Sequence, residues 1–294
     1  MSGTFADWLT LREPADAAAR STRLVAQLRD HLGGSSRTAG AQPARESRMA
    51  IHDLGAGTGS MCRWLAPLLP GPQHWVLYDR DPGLLALARA RTDVISADGT
   101  PVTVETRQAD ITQLTAADLK EPALVTASAL LDMLTAEQLD RIVAAVLDAG
   151  CPALVTLSVV GEVLMVPGDP FDGPIQDAFN AHQRRTVGGA ALLGPDAVGY
   201  VTNAFRSRGA RVEADTTVWR LGPAQAELAG AWFTGWVEAA CEQYPELAPQ
   251  ANEYAGRRLA EIGAGRVRVL VHHRDILVTG SAHHGGETHF VEGE

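Results

Sequence analysis

Apolar residues along this chain fall into two kinds of run, and the two alternate. Met49 to His52, His74 to Tyr78, Val102 to Thr106, Ala123 to Ala127 and Ala153 to Val160 are short and largely apolar, as buried strands are. Between them apolar residues recur three and four apart, which is helical spacing. One such helix runs from Ser60 to Leu69 and stops at Pro70-Gly71. Asp81-Pro82 opens the next, with Asp as N-cap and Pro at the first helical position. Thr135-Ala136-Glu137-Gln138 is a capping box for a helix that ends before Gly150. Strand alternating with helix predicts an α/β fold, a doubly wound, mostly parallel sheet.

The flanks read differently. Residues 4–32 are expected to be helical in two pieces. Phe5, Trp8 and Leu9 make the first apolar cluster, and Pro14 is expected to start the second piece. Leu24, Leu28 and Leu32 recur at spacing four, and Gly33-Gly34 closes the run. Gly33 to Arg45, rich in Gly, Ser, Ala and Pro, reads as a loop or linker. A long irregular stretch is expected from Gly161 to Pro195, and loops of that length are usually functional. Asp196 should cap a helix reaching Arg208, with Gly209 as its stop. Arg211 to Leu221 and Arg266 to Thr279 read as strands, and Pro223 to Gly263 between them as helical. Ser281 to Glu294 has the composition of a frayed tail.

Composition narrows the function classes. At 294 residues, 46% hydrophobic and 20% charged, the chain is an ordinary globular protein. A net charge of −10 argues against nucleic acid as partner, because phosphates need a basic face. Cys62, Cys151 and Cys241 are far apart and unpaired in pattern, which fits a reduced cytoplasm. No stretch reaches the roughly 18 apolar residues of a membrane span, and Met1-Ser2-Gly3-Thr4 lacks the basic and apolar regions expected of a signal peptide.

The candidate chemistry starts at Asp53-Leu54-Gly55-Ala56-Gly57-Thr58-Gly59, between the first strand and its helix. Glycine tolerates φ > 0 and has no Cβ, so such a turn brings bare backbone against a ligand. The spacing is G-x-G-x-G after an acid, not the G-x-G-x-x-G of dinucleotide sites. Asp79 ends the second strand about 20 residues on, where open α/β folds place the acid that takes a ribose diol. Gln108-Ala109-Asp110-Ile111 follows the third strand, and Ser128-Ala129-Leu130-Leu131-Asp132 the fourth. These segments, in this order over roughly residues 48–160, resemble the class I S-adenosylmethionine-dependent methyltransferases.

That resemblance implies a Rossmann-like, seven-stranded sheet with the last strands antiparallel. It implies a helical lid and linker over 1–46, the methyltransferase domain over 47–280, and a tail over 281–294. The domain would hold a substrate loop at 161–195 and a helical insertion at 222–263 before the last strand. It implies S-adenosyl-L-methionine as cofactor, held by Asp53, Gly55, Ala56, Gly57, Asp79, Arg80, Asp110, Ile111 and Ser128. Asp110 would contact the adenine amine and Ile111 would pack on the ring. Ser128 and Asp132 would lie near the delivered methyl group.

On the acceptor side His182 is the candidate general base, since histidine titrates near neutrality. Arg184 or Arg185 would hold a carboxylate or phosphate of the acceptor. Trp232, with Trp219 and Trp236, is read as core or as an aromatic wall for the acceptor. His272, His273 and Asp275 invite a metal reading, but on a strand only His273 and Asp275 share a face, so no metal site is expected. The expected function is methyl transfer to an O, N or C nucleophile of a small molecule in the cytoplasm. The alternatives are transfer of another group, a non-catalytic cofactor- or metabolite-binding protein of the same fold, and a nicotinamide-dependent oxidoreductase.

Overall fold

A computed structural model describes residues 4–38, 48–119 and 122–280. Five parallel strands come first: β1 (Met49–Leu54), β2 (Gln73–Asp79), β3 (Val102–Gln108), β4 (Pro122–Ser128) and β5 (Ala153–Val166). Two more, β6 (Arg211–Leu221) and β7 (Arg268–Thr279), complete one sheet in the order β3-β2-β1-β4-β5-β7-β6. Strand β7 is antiparallel to both β5 and β6, as expected for the last strands.

The helices are α1 (Phe5–Ala19), α2 (Thr22–Thr38), α3 (Ser60–Leu65), α4 (Pro82–Arg91), α5 (Ala136–Ala149), α6 (Asp172–Gln183), α7 (Ala197–Ser207), α8 (Ala226–Gln243) and α9 (Ala248–Gly263). Side chains alternate across a strand, so neighbouring residues feed opposite faces. Ile51 and Leu124 pack with Trp75, Leu28 and Leu65 under α2 and α3. Leu54 and Val125 pack with Val143 and Phe205 under α5 and α7. A third cluster forms around Trp219, Phe233, Trp236 and Tyr254 with Met165, Val269 and Val271. Leu24 and Leu28 have no exposed surface, so α2 is docked on the sheet. Each such side chain contributes about 1.5–3 kcal/mol.

The caps read from sequence are present. Asp81 accepts from the Gly83 and Leu84 amides, and Thr135 and Gln138 close a reciprocal capping box. Four expectations need correction. Pro14 lies inside α1, and the break falls instead at Arg20-Ser21. Gly33-Gly34 does not close α2, which continues to Thr38. The 161–195 stretch is not irregular: β5 continues to Val166, α6 follows, and a two-residue hairpin (Thr186–Val187 with Ala190–Ala191) precedes α7. Asp196 adjoins α7 without a side-chain cap bond, because Arg184 takes its carboxylate. The helical reading of 223–263 resolves into α8 and α9. The linker at 39–47 and the tail from Ser281 lie outside the described residues.

Sheet order reverses between β1 and β4. In register, Asp53 of β1 is level with Leu77 of β2 and Thr126 of β4. The carboxyl ends of these three strands therefore stand side by side at a topological switch point, the usual ligand crevice of open α/β sheets.

Candidate cofactor and acceptor site

The glycine turn follows β1. Gly55, Gly57 and Gly59 have φ of +66°, +54° and +82°. A Cβ on Gly57 would lie 3.2 Å from Leu9 Cδ1 of α1, and one on Gly59 would lie 3.0 Å from Thr92 Oγ1. Conformation and space both require glycine there. The turn is strapped to the end of β2. The Gly57 amide donates to Asp79 Oδ2 at 2.8 Å, and the Ala56 amide donates to the Tyr78 carbonyl at 2.8 Å. Asp79 Oδ1 accepts from the Asp81 amide at 3.0 Å. Asp79 is thus held at the turn, half-buried, while Arg80 beside it is exposed.

Asp110 opens a short turn after β3. Its Oδ1 accepts from the Thr112 hydroxyl (2.7 Å) and amide (3.0 Å), which hold its carboxyl below the usual range. Ile111 is buried beside it. The Ala109 amide donates to the Asp79 carbonyl at 3.0 Å, so this turn is tied to β2 as well.

Between the glycine turn and β4 lies Arg20, at the break between α1 and α2. Its Nη2 donates to Ser60 Oγ at 2.9 Å and to Ser128 Oγ at 3.0 Å. Ser128 is further fixed by the Thr156 hydroxyl at 3.1 Å. Arg20 is only 3% exposed, yet its Nε and Nη1 have no hydrogen-bond partner. Burial pulls its guanidinium below the ordinary arginine value, and Asp16, Asp53 and Asp275 oppose that pull. Asp53 is the counterpart. Its Oδ1 accepts from the Thr126 hydroxyl at 2.7 Å, while its buried Oδ2 has no partner. Burial pushes the Asp53 carboxyl up to about 7.

The break that carries Arg20 is itself fastened to the sheet. Asp275 Oδ2 accepts from the Ser21 amide at 2.9 Å, and its Oδ1 accepts from the Leu157 amide (2.7 Å) and Thr217 hydroxyl (3.0 Å). Those donors account for Asp275. Burial pushes its neighbour His273 down to about 3. Among the described residues no three His, Cys, Asp or Glu side chains gather as metal ligands. Helix α1 then crosses the glycine turn. Leu9 meets Gly57, Glu13 pairs with Arg63 of α3 at 2.6 Å, and Thr10 accepts from Arg91 of α4 at 2.9 Å.

Beyond the end of β4, Asp132 follows just past Ala129, whose φ is +51°. Strained backbone of this kind clusters at functional sites. Gln183 donates to Asp132 Oδ2 at 3.2 Å, and burial pushes the carboxyl up while Arg12 and Arg185 pull it down. His182 is buried on the last turn of α6, not in an open loop. Its Nδ1 lies 3.3 Å from Arg185 Nη1 and its Nε2 3.4 Å from Glu242 Oε2, so protein groups face both ring nitrogens. Arg184 is committed to Asp196, at 2.6 and 2.9 Å. Trp232 stacks on Trp236, ring centroids 5.3 Å apart, in the third cluster.

The sequence reading missed Arg20 and Gln183 and read Ser60, next to the glycine turn, only as a helix start; Arg20 and Gln183 reach the site through contacts made by the break after α1 and by the end of α6. A basic residue at the end of an N-terminal helix is too common a signal to have found Arg20.

Residues 51–152 match the family model described as a methyltransferase domain. No curated protein matches the chain. Solved structures of low identity resemble it. A SAM-dependent methyltransferase from Thiobacillus denitrificans, in complex with S-adenosyl-L-homocysteine, is 14% identical over 88% of this chain and 92% of its own, with a TM-score of 0.43. One from Geobacter sulfurreducens, also in complex with S-adenosyl-L-homocysteine, is 14% identical over 86% and 90%, with a TM-score of 0.41. A mycolic acid cyclopropane synthase complexed with SAH and CTAB is 12% identical over 85% and 83%, with a TM-score of 0.42.

Proposed function

We propose that the chain is a class I S-adenosylmethionine-dependent methyltransferase that methylates an O, N or C nucleophile of a small molecule; the match of residues 51–152 to the family model described as a methyltransferase domain supports this reading. S-Adenosylmethionine supplies the electrophilic methyl group when bound. The observation that carries the assignment to this crevice is the pair of buried orphans: the Arg20 guanidinium with two nitrogens unpartnered, and Asp53 with one oxygen unpartnered. Buried charges of this kind are costly unless a ligand completes them. An amino acid end group does so, its carboxylate on Arg20 and its ammonium on Asp53.

The other residues have matching roles. Asp79 takes the ribose hydroxyls, Asp110 the adenine amine, and Ile111 the ring face. Gly55, Ala56 and Gly57 let the backbone approach, and Ser60 and Ser128 aim Arg20. Helix α1 excludes water and restricts access, which favours a small acceptor over a polymer. The net charge of −10 offers nothing to nucleic acid. No helix among the described residues is long and apolar enough to cross a membrane.

For the proton of the acceptor we assign Asp132 rather than His182. Its carboxyl is raised by burial and one oxygen is fixed by Gln183, whereas the Nδ1 of His182 is faced by Arg185 and its buried Nε2, 3.4 Å from Glu242, makes no hydrogen bond. Two experiments test the reading. Calorimetric titration should show binding of S-adenosylhomocysteine and none of NAD; the reverse result removes the methyltransferase assignment. With an acceptor in hand, Asp132→Asn should lower turnover at least about 10²-fold, the lower end for a positioned base. His182→Ala should leave it within a few-fold.

A further inference from the structure

We propose that Asp275 is a positioning residue for the amino acid end of the cofactor. It ties together the two supports that aim the Arg20 guanidinium, the end of β5 and the break after α1. The inference rests on the cofactor reading of the crevice, and it adds to that site a residue from the far end of the chain.

The first support is the end of β5. Across to β7, Val155 is level with Ile276 and Ser158 with Arg274. Thr156 and Leu157 thus stand against the single residue Asp275, which is a β-bulge. A bulge leaves ladder groups unpaired, and here the side chain opposite takes one of them. The Leu157 amide donates to Asp275 Oδ1 at 2.7 Å. Leu157 has φ of +56°, a left-handed conformation that leucine keeps only where its surroundings hold it. Thr156, the other bulge residue, reaches the site. Its hydroxyl donates to Ser128 Oγ at 3.1 Å, and its carbonyl accepts from the Ala129 amide at 3.0 Å. Ser128 in turn accepts from Arg20 Nη2 at 3.0 Å.

The second support is the break. Asp275 Oδ2 accepts from the Ser21 amide at 2.9 Å. Ser21 adjoins Arg20 and caps α2, its hydroxyl accepting from the Leu24 amide at 3.1 Å. Both partners of the Arg20–Ser128 contact therefore lead back to one carboxylate. Asp275 has no exposed surface, and the Thr217 hydroxyl of β6 is its third donor at 3.0 Å. Burial pushes this carboxyl up, and the three donors and Arg20 pull it back down. Donors converging on both oxygens select aspartate. A carboxylate accepts at each oxygen, whereas the nitrogen of an asparagine would turn N–H groups toward another donor. Asp275 is spent on these donors, so it acts through where it holds Arg20 and Ser128.

The test compares two ligands by calorimetry. S-Adenosylhomocysteine carries the amino acid end; 5′-methylthioadenosine has the same adenosine and sulfur without it. Asp275→Asn should weaken S-adenosylhomocysteine by about tenfold or more, the loss of a hydrogen bond to a charged group, and should leave 5′-methylthioadenosine within about twofold. In protein already carrying Arg20→Met, adding Asp275→Asn should change S-adenosylhomocysteine affinity less than about twofold, because no guanidinium is left to aim. A residue that only holds the fold would weaken both ligands alike, with or without Arg20. Either of those results overturns the proposal, as does unchanged S-adenosylhomocysteine affinity in Asp275→Asn. Should Asp275→Asn fail to fold, Thr217→Val removes one donor and keeps the carboxylate. It should weaken S-adenosylhomocysteine about threefold and leave 5′-methylthioadenosine unchanged; equal losses, or none, overturn the proposal. Wild-type protein that binds neither ligand would instead overturn the cofactor reading itself, and this role with it.

Discussion

A buried guanidinium with two unpartnered nitrogens destabilises a protein until something accepts from them, and Arg20 stands in that position beside Ser60 and Ser128. Arg20→Met should therefore weaken S-adenosylhomocysteine binding by about 1.5–3 kcal/mol, the range for a hydrogen bond to a charged group. The ligand-free protein should lose little stability or gain some, which chemical denaturation would measure. A drop in both would make Arg20 a structural residue. Asp53 adds a pH dependence. Its folded value of about 7 is raised above the ordinary 3.8, so the native state holds the proton that the unfolded state releases. The stability this gives is complete below about pH 4 and is lost as pH rises through 7. Binding of an ammonium group needs the carboxylate, so affinity for S-adenosylhomocysteine should rise between pH 6 and 8. Asp53→Asn should flatten that profile; an unchanged slope in the variant would assign it to another group.

Helix α1 is the element whose role the cofactor reading depends on most. It is fastened over the glycine turn by Glu13 to Arg63 and by Thr10 to Arg91, and Trp8, Leu11, Ala15 and Ala19 pack it on the third cluster. Glu13→Gln should leave the sheet intact but loosen this strap. Amide exchange should quicken over residues 5–19 and not in β1 or β4, and S-adenosylhomocysteine should bind a few-fold more weakly. Uniform exchange across the molecule would contradict a local fastening. Elements whose ends carry their own chemistry were legible in sequence. Asp81-Pro82 and the Thr135 capping box place helix starts because side chain and amide lie within three residues of each other. Pro14 misled for the opposite reason. It removes only the bond to the Thr10 carbonyl, and the tertiary packing of α1 outweighs that loss. Gly161 misled too. It reads as a strand end, but in β5 it sits at a shift of register with φ of +76°, its carbonyl accepting from Asn180 Nδ2 at 2.8 Å. A glycine at a bulge and a glycine at a terminus look alike until the partner strand is known.

For the molecule as a whole, a ligand that binds only the folded state must stabilise it. S-Adenosylhomocysteine at 100 times its dissociation constant should add about 2.7 kcal/mol, visible as a raised melting temperature, and NAD at the same concentration should add none. The α/β class, the parallel core and the glycine turn with Asp53 and Asp79 could all be read from the chain. Each depends on neighbours in sequence: a period of two or 3.6, a cap within a turn, an acid at the end of its own strand. The match of residues 51–152 to a methyltransferase domain covers this same locally written part. The charged groups that face the crevice were different. Arg20 meets Ser128 across 108 positions, Ser21 meets Asp275 across 254, and Trp219 meets Asp16 across 203. Such contacts carry no local pattern, because any polar residue of fitting reach serves and the spacing between partners is set by intervening loops. His182 illustrates the limit. Its ionisable ring drew it into the site; Arg185 faces one nitrogen from three residues on, but only the packing of α6 against α8 put Glu242 near the other. The chain's periodicity and turn chemistry specify where the cofactor-type crevice opens; which charges face into it follows from how distant helices close over the strand ends.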